Sequence, residues 1–356
     1  MKINHAIIHV FDFIACENAF ANEEIDLTNK TAKNYVSKHA VKALGSIDNK
    51  RGEFSANSHF AAELRAYYQD QRDFVGLSQA IGQYLVEELG HMERTPSTDS
   101  LVVDYEDEPQ KPTAEMTDEE VEALFQGRAN RYLGIFLLES KQAYMHNVGV
   151  GETGECNDIS RHYAILPNPS QKLQSYAIVD LRTQAVLFAD KKRVIAGEEC
   201  WLIPDKLLQC SMEASSKEAF TAVTELVRDV AEEHGANTAV AVSKAKAYVT
   251  RVAEEERLET TGVNMRQLVD DVFDNNPELA KRAHDVAQAR ELPERMPLER
   301  DAVRRVARSH KIVTDTGITI TFPAEYSRNS DYLTFTSNAD GKFSIELKNI
   351  GSFENK

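Results

Sequence analysis

Near residue 211 the apolar residues of this 356-residue chain change their spacing, and no single sheet or helical bundle accommodates both spacings. Upstream, "INHAIIHVF" (3–11), "SLVVDY" (100–105), "RYLGIFLLESKQAYMHNV" (131–148) and "QSYAIVDLRTQAVLFAD" (174–190) have the alternation or the length of strands. Downstream, "SSKEAFTAVTELVRDVAEEHG" (215–235) and "ANTAVAVSKAKAYVTRVAEEERLE" (236–259) repeat their apolar residues at helical spacing. The length suffices for two domains of roughly 100–200 residues each. The expected division is an N-terminal α+β domain over 1–210 and a C-terminal domain over 211–356, helical first and then a β-hairpin unit. The fold class is α+β, with a mixed, mainly antiparallel sheet and flanking helices in the first part.

Local signals fill in this outline. In the first strand, alternation places Ile3, His5, Ile7 and His9 on one face and Asn4, Ala6, Ile8 and Val10 on the other. "NKTAKNYVSKHAVKAL" reads as a helix, and Phe60, Leu64, Tyr67, Tyr68, Phe74, Leu77, Ile81, Leu85 and Leu89 give a longer helical stripe over 59–93, weakened by Gly76 and Gly82. Arg182, Thr183 and Gln184 mark a hairpin turn. In the second part, a serine cap opens the helix that stops at Gly235, and Asn275–Asn276–Pro277 splits "NMRQLVDDVFDNNPELAKRAHDVAQA" into two helices. "PLERDAVRRVARSHK" (297–311) gives another helix with Pro297 near its start. "KIVTDTGITITFPAEY" and "DYLTFTSNADGKFSIELKNIG" return to strands, with Asp340–Gly341 as a turn.

Composition excludes several classes. No apolar run approaches the ~20 residues of a membrane helix, so no membrane partner is expected. The N-terminus, interrupted by Asn4, His5, His9 and Asp12, reads as a folded strand rather than a leader. Cys16, Cys156, Cys200 and Cys210 form no C-x-x-C pair and suit a reducing cytoplasm, each as a small core residue. The net charge of −16 opposes indiscriminate polyanion binding. Much of it is concentrated in 104–122, where nine acids face Lys111 alone, so this stretch reads as an acidic surface excursion suited to basic protein partners.

Few motifs carry chemistry. "GVGETG" matches G-x-G-x-x-G, but no amphipathic helix follows to supply the amides that hold a pyrophosphate, so it reads as a loop. His5 and His9 are about 13 Å apart along a strand, too far for one metal ion. Asp331 with Glu346 and Lys348 resembles the Asp…Glu-x-Lys set of metal-dependent nucleases, but Glu139–Ser140–Lys141 repeats the pattern downstream of Asp118, and Glu-x-Lys is common on strand surfaces. "DKKRV" (190–194) is a small basic spot.

The largest basic concentration is "LERDAVRRVARSHK" (298–311); from 281 to 311, nine bases face five acids. On one helix, Arg300, Arg304, Arg308 and Lys311 share a face beside Arg305, a row able to bridge phosphates. The alternative is a solvated face, or pairing with "EEER" at 254–257. A Debye length of ~8 Å lets such a patch act locally on an acidic protein.

In order along the chain, "INHAIIHVF", "RYLGIFLLES", "ISRHYAILPNPSQKLQSYAIVDLRT", "VDDVFDNNPELAKRAHDVAQ", "GITITFPAEY" and "YLTFTSNADGKFSIELKNIG" resemble the bacterial nucleoid-associated 37-kDa protein family. The resemblance implies a cytoplasmic protein of the nucleoid that associates with DNA without an enzymatic reaction, and it transfers no catalytic residue, metal ligand or cofactor. The nucleic-acid-binding candidates Arg300, Arg304, Arg305, Arg308 and Lys311 come from charge alone. Two other readings stand beside DNA binding: an adapter that recruits a basic protein through 104–122, and the nuclease. Most soluble oligomers are symmetric pairs, so a homodimer is the expected assembly, although the sequence shows no self-complementary patch.

Overall fold

The computed structural model describes residues 1–107, 130–151, 154–255, 261–298, 300–307, 309–324, 326, 331–337 and 343–352. The chain divides into two compact units, Met1–Glu213 and Ala214–Lys356.

The first unit is built on a seven-stranded antiparallel sheet. Its strands are β1 (Lys2–Asp12), β2 (Glu17–Ala19), β3 (Lys50–Gly52), β4 (Thr98–Glu106), β5 (Arg131–Glu139), β8 (Tyr176–Asp180) and β9 (Val186–Ala189), in the order β2-β1-β4-β5-β8-β9-β3. Two further hairpins, β6 (Lys141–Gly151) with β7 (Gly154–Ile165) and β10 (Lys192–Ile195) with β11 (Glu198–Trp201), stand outside that sheet. One face packs Ile7, Phe11, Val102, Leu133 and Ile135 with residues of α2 (His59–Tyr68), α3 (Phe74–Gly90) and a π-helical segment, Leu202–Leu208. The other packs Ala6, Leu101, Val103, Phe136 and Ile178 with Val36, Ala40 and Ala43 of α1 (Lys30–Leu44). Covering both faces explains why "SLVVDY" and "GIFLL" are apolar runs without alternation.

The alternation read for β1 holds only from His5 onward. Ile3 pairs with Tyr105 and His5 with Asp104, so Asn4 is an extra residue in a bulge. The bulge moves Ile3 to the α1 face with Ala6, opposite Ile7 and Phe11. Asn4 Nδ2 donates to Asp104 Oδ1 and Glu106 Oε1, both at 3.1 Å. Asp104 is fully buried and also accepts from Tyr67 Oη at 2.5 Å and from Arg131 Nη2 at 2.6 Å. Burial and then the bond to Asp104 push the Tyr67 phenol well up, and the bond to Asp104 raises the Arg131 guanidinium further. Asp104 therefore does not belong to the acidic excursion. It is a core carboxylate on β4, and 108–122 of the excursion lies outside the described residues. The chain leaves β4 and re-enters β5 at one place, since Asp107 N donates to Asn130 O and Glu106 pairs with Arg131.

The 59–93 stripe is two helices, parted at residues 69–73. Asp70 has φ +57° there, and Asp73 caps α3 by accepting from Gly76 N. Gly82 does not break α3; a Cβ there would meet Phe20 and His9 at 3.1–3.2 Å, so its absence lets the helix lie close to β1. The expected turn at Arg182–Gln184 joins β8 to β9, with Asp180 Oδ1 accepting from Arg182 N and Thr183 N.

In the second unit, α4 (Ser216–Glu233), α5 (Thr238–Glu255), α6 (Met265–Val272) and α7 (Pro277–Ala289) enclose a core of Val223, Leu226, Val227, Ala245, Val249, Leu268 and Ala283. Ser215 and Glu218 form a capping box on α4, and Asn264 and Asn276 cap α6 and α7. Pro297 does not open a helix. It lies in β13 (Arg295–Leu298), paired with β12 (Thr261–Asn264), and α8 (Arg300–Val306) follows. Two hairpins complete the unit: β14 (Ser309–Val313) with β15 (Thr319–Pro323), and β16 (Leu333–Ser337) with β17 (Phe343–Leu347). The Asp340–Gly341 turn lies outside the described residues, between paired Ser337 and Phe343.

Two predictions follow from the buried acids of the sheet. Asp104→Ala leaves the Arg131 guanidinium without its counter-charge and costs about 3–5 kcal/mol, read as a lowered urea midpoint. Asp99, only 8 % exposed, is raised from 3.8 to about 6 by burial and then by Asp12. The folded chain holds this proton more tightly than the unfolded chain, so stability falls as pH rises through that interval. Asp99→Asn therefore stabilises the protein by about 3 kcal/mol at pH values above that interval and loses the advantage below it, a difference that denaturation at two pH values measures.

Candidate nucleic-acid interface

The basic stretch 298–311 is not one helix. α8 ends at Val306, and the chain turns into β14, where Ser309, Lys311 and Val313 face outward and His310 inward. Lys311 pairs with Thr321 of β15, so strand pairing rather than helical spacing sets its direction. Ala302, Val303 and Ala307 are buried, which turns Arg304 and Arg305 to the surface. Arg300 begins α8, its side chain lying outside the described set, and Arg308 lies outside the described residues. Of the five expected residues, Arg304, Arg305 and Lys311 are exposed on two consecutive elements.

α5 adds a cation that sequence spacing did not single out. Lys246 Nζ donates to Ser309 O at 3.2 Å, at the start of β14, and lies 5.9 Å from the Phe220 ring. Burial lowers its affinity for the proton. Among the described residues, Lys246, Arg304 and Lys311 have no carboxylate partner. Elsewhere in the same unit cations are neutralised: Lys244 by Asp274 at 2.7 Å, Arg290 by Asp229 at 2.8 Å, Arg282 by Glu233 at 3.0 Å. In the run at 254–257, Glu254 is exposed, and Glu256 and Arg257 lie outside the described residues. Nothing in "VSKAKAYV" distinguishes Lys246 from Lys244; only the fold sends one to an acid and the other to β14.

Under this surface lies His310, 6 % exposed, its ring edge-on to Phe322 at 5.5 Å. Neither ring nitrogen has a hydrogen-bond partner among the described residues. Burial and then the nearby Lys246 charge lower its pKa to about 4. It is a neutral support for the strand that presents Lys311.

The other sequence candidates resolve differently. The glycines of "GVGETG" fall on the β6–β7 hairpin, with Gly151 paired to Gly154, so the motif opens no helix. The "DKKRV" spot is internally neutralised: Lys191 meets Glu139 at 2.5 Å, Lys192 meets Glu199 at 2.8 Å, and the buried Arg193 meets Asp190 at 2.6 Å. Glu139 is thereby engaged, and Glu346 lies 3.5 Å from Lys348 along β17. Asp118 lies outside the described residues, and among those described no group of three His, Cys, Asp or Glu side chains is placed to hold a metal ion. His5 bonds Glu24 at 3.0 Å, while His9 is buried and accepts from Ala21 N. Among the described residues no helix is long and apolar enough to cross a membrane.

The chain is an α+β protein of two compact units, and Lys246, Arg304 and Lys311 of the second have no carboxylate partner among the described residues. The family described as nucleoid-associated protein YejK matches residues 7–352, nearly the whole chain, and the protein belongs to that family. Membership places it with the bacterial nucleoid, in the cytoplasm. No curated protein matches the chain.

The buried histidine gives a test of this region. His310 stays neutral when folded but takes up a proton below 6.5 when unfolded, so its contribution is fully present above 6.5 and is lost as pH falls toward 4. The loss amounts to about 3 kcal/mol. Hydrogen exchange of β14 and β15 is expected to accelerate on acidification across that interval, and His310→Leu to flatten the dependence.

Proposed function

We propose that the protein binds DNA directly and without enzymatic chemistry, through phosphate contacts from Arg304, Arg305 and Lys311, joined by Lys246 and flanked in sequence by Arg300 and Arg308. The observation that carries this reading is that Lys246, Arg304 and Lys311, half-buried or outward around β14, have no carboxylate partner among the described residues, in a protein of the nucleoid-associated family. A half-buried ammonium without a counter-charge is costly, and a phosphate oxygen supplies the missing partner. Contacts of this kind fix the protein on the duplex without reading bases. They also suit a chain of net charge −16, because screening confines repulsion from distant acids to about one Debye length.

Fluorescence anisotropy with a labelled duplex at increasing salt tests the proposal. A handful of phosphate contacts gives a log–log slope of roughly −4 to −5. Arg304→Ala with Lys311→Ala is expected to weaken binding and make the slope shallower by about two units, about one for each lost contact. Unchanged affinity and slope in that variant would remove this face from the account. Recovery of the same protein partners after nuclease treatment would instead favour an adapter working through the acidic segment.

A further inference from the structure

The π-helical segment Leu202–Leu208 forms one wall of a cavity of about 200 Å³ in the first unit. The other walls come from α2 and α3, and Phe60, Leu77, Ile81 and Leu207 give it an apolar floor. Hydrogen bonds within the fold fix the distance between these walls. Ser58, the cap of α2, accepts from Ala61 N at 3.2 Å and donates to Leu208 O at 2.7 Å. On the α3 side, Tyr84 Oη donates to Lys206 O at 2.9 Å. The segment itself is anchored at its start, where Trp201 N donates to Asp205 and Ile203 N to Asp190. At its end Cys210 N donates to Pro204 O at 3.0 Å, and Gln209 adopts the left-handed region at φ +52°. A π-helical turn and a left-handed glutamine are both uncommon backbone states, and such states concentrate at functional sites.

We propose that this cavity binds a small uncharged aromatic molecule, one or two fused rings in size, with its hydrogen-bonding group at the mouth. Size is the first argument. Protein interiors close-pack and leave few voids larger than a water molecule, so walls pinned apart around apolar space set the dimensions of a guest. An apolar cavity of about 150 Å³ takes benzene, and one of about 200 Å³ takes a somewhat larger ring system.

Charge is the second. Arg72 and Lys206 stand at the rim, but Arg72 is paired with Glu63, and Lys206 lies 3.8 Å from Glu88. A charged guest would therefore be desolvated without a counter-charge of its own, which is costly beside an apolar floor. The third is the mouth. His59 and Gln209 line it, both are exposed, and neither side chain has a hydrogen-bond partner among the described residues. An imidazole and an amide each offer a donor and an acceptor, so a ring N–H or O–H directed outward finds a partner there. Apolar depth with a few polar groups at the opening is the usual construction of a small-molecule site.

Titration of the full chain with indole, followed by methyl NMR of labelled Ile and Leu residues, tests the assignment. Saturable shifts are expected at Leu77, Ile81 and Leu207, with a dissociation constant on the order of 1 mM or tighter for so small a probe. Indole-3-carboxylate, of the same ring size but charged, is expected to bind at least about tenfold more weakly. Ala80 lines the cavity from α3 and is half-buried. Ala80→Trp places a ring of the chain's own in that space and is expected to weaken indole binding at least about tenfold. A thermal melt checks that this variant folds, and the methyl shifts of the wild type locate the site without any substitution. Four results would each overturn the proposal: no saturable shift, shifts confined to methyls elsewhere, equal binding of the carboxylate, or a folded Ala80→Trp chain that binds indole as tightly as the wild type.

Discussion

A sheet covered on both faces has no water to spare for a charge, and the first unit is organised around that constraint. Asp104 sits in the middle of such a sheet, and every other feature nearby answers to it. Arg131 supplies the counter-charge, Tyr67 a hydroxyl, and the bulge at Asn4 an amide. The bulge in turn sets which residues of β1 face α1 and which face α2 and α3. One buried carboxylate thus links the register of the N-terminal strand to the placement of three helices. The neighbouring strand end, from which the 108–129 excursion departs, is held by the same pairing, with Glu106 opposite Arg131.

The second unit manages charge in the opposite way. Its helices tie many of their cations to acids on adjacent elements, as in the Arg290–Asp229 and Lys244–Asp274 pairs. Around β14 the arrangement changes: Lys246 reaches a backbone carbonyl instead of a carboxylate, and Lys311 points away from the buried His310. The placement of exposed cations in this protein therefore does not follow from bulk composition. A net charge of −16 coexists with a cationic surface because charges more than a Debye length apart hardly interact in salt.

Much of the fold was legible because its signals are local. Ser215 with Glu218, Asn276 before Pro277, and the turn at Arg182–Gln184 are short-range chemistry, in which a side chain satisfies backbone groups a few residues away. The apolar spacing changes period near residue 211, and the chain divides into compact units between Glu213 and Ala214. The candidate site was less legible. Helical spacing gathered Arg300, Arg304, Arg308 and Lys311 into one row, whereas the helix stops at Val306 because His310 and Ile312 are drawn into pairing with β15. Lys246 and Lys191 could not be sorted by spacing, because their partners, Ser309 and Glu139, lie far away in sequence.

By itself the sequence determined the fold class, the acidic balance, the family and the stretch in which arginines concentrate. Only the tertiary structure decided which charges pair with one another and which have no carboxylate partner among the described residues. It moved Asp104 from a supposed surface run into the core, cancelled the bases of "DKKRV", and brought Lys246 to the strand that carries Lys311. The physical reason is range: capping and periodicity act over a few residues, whereas the fate of a charge depends on groups that only the folded chain brings within a few ångströms.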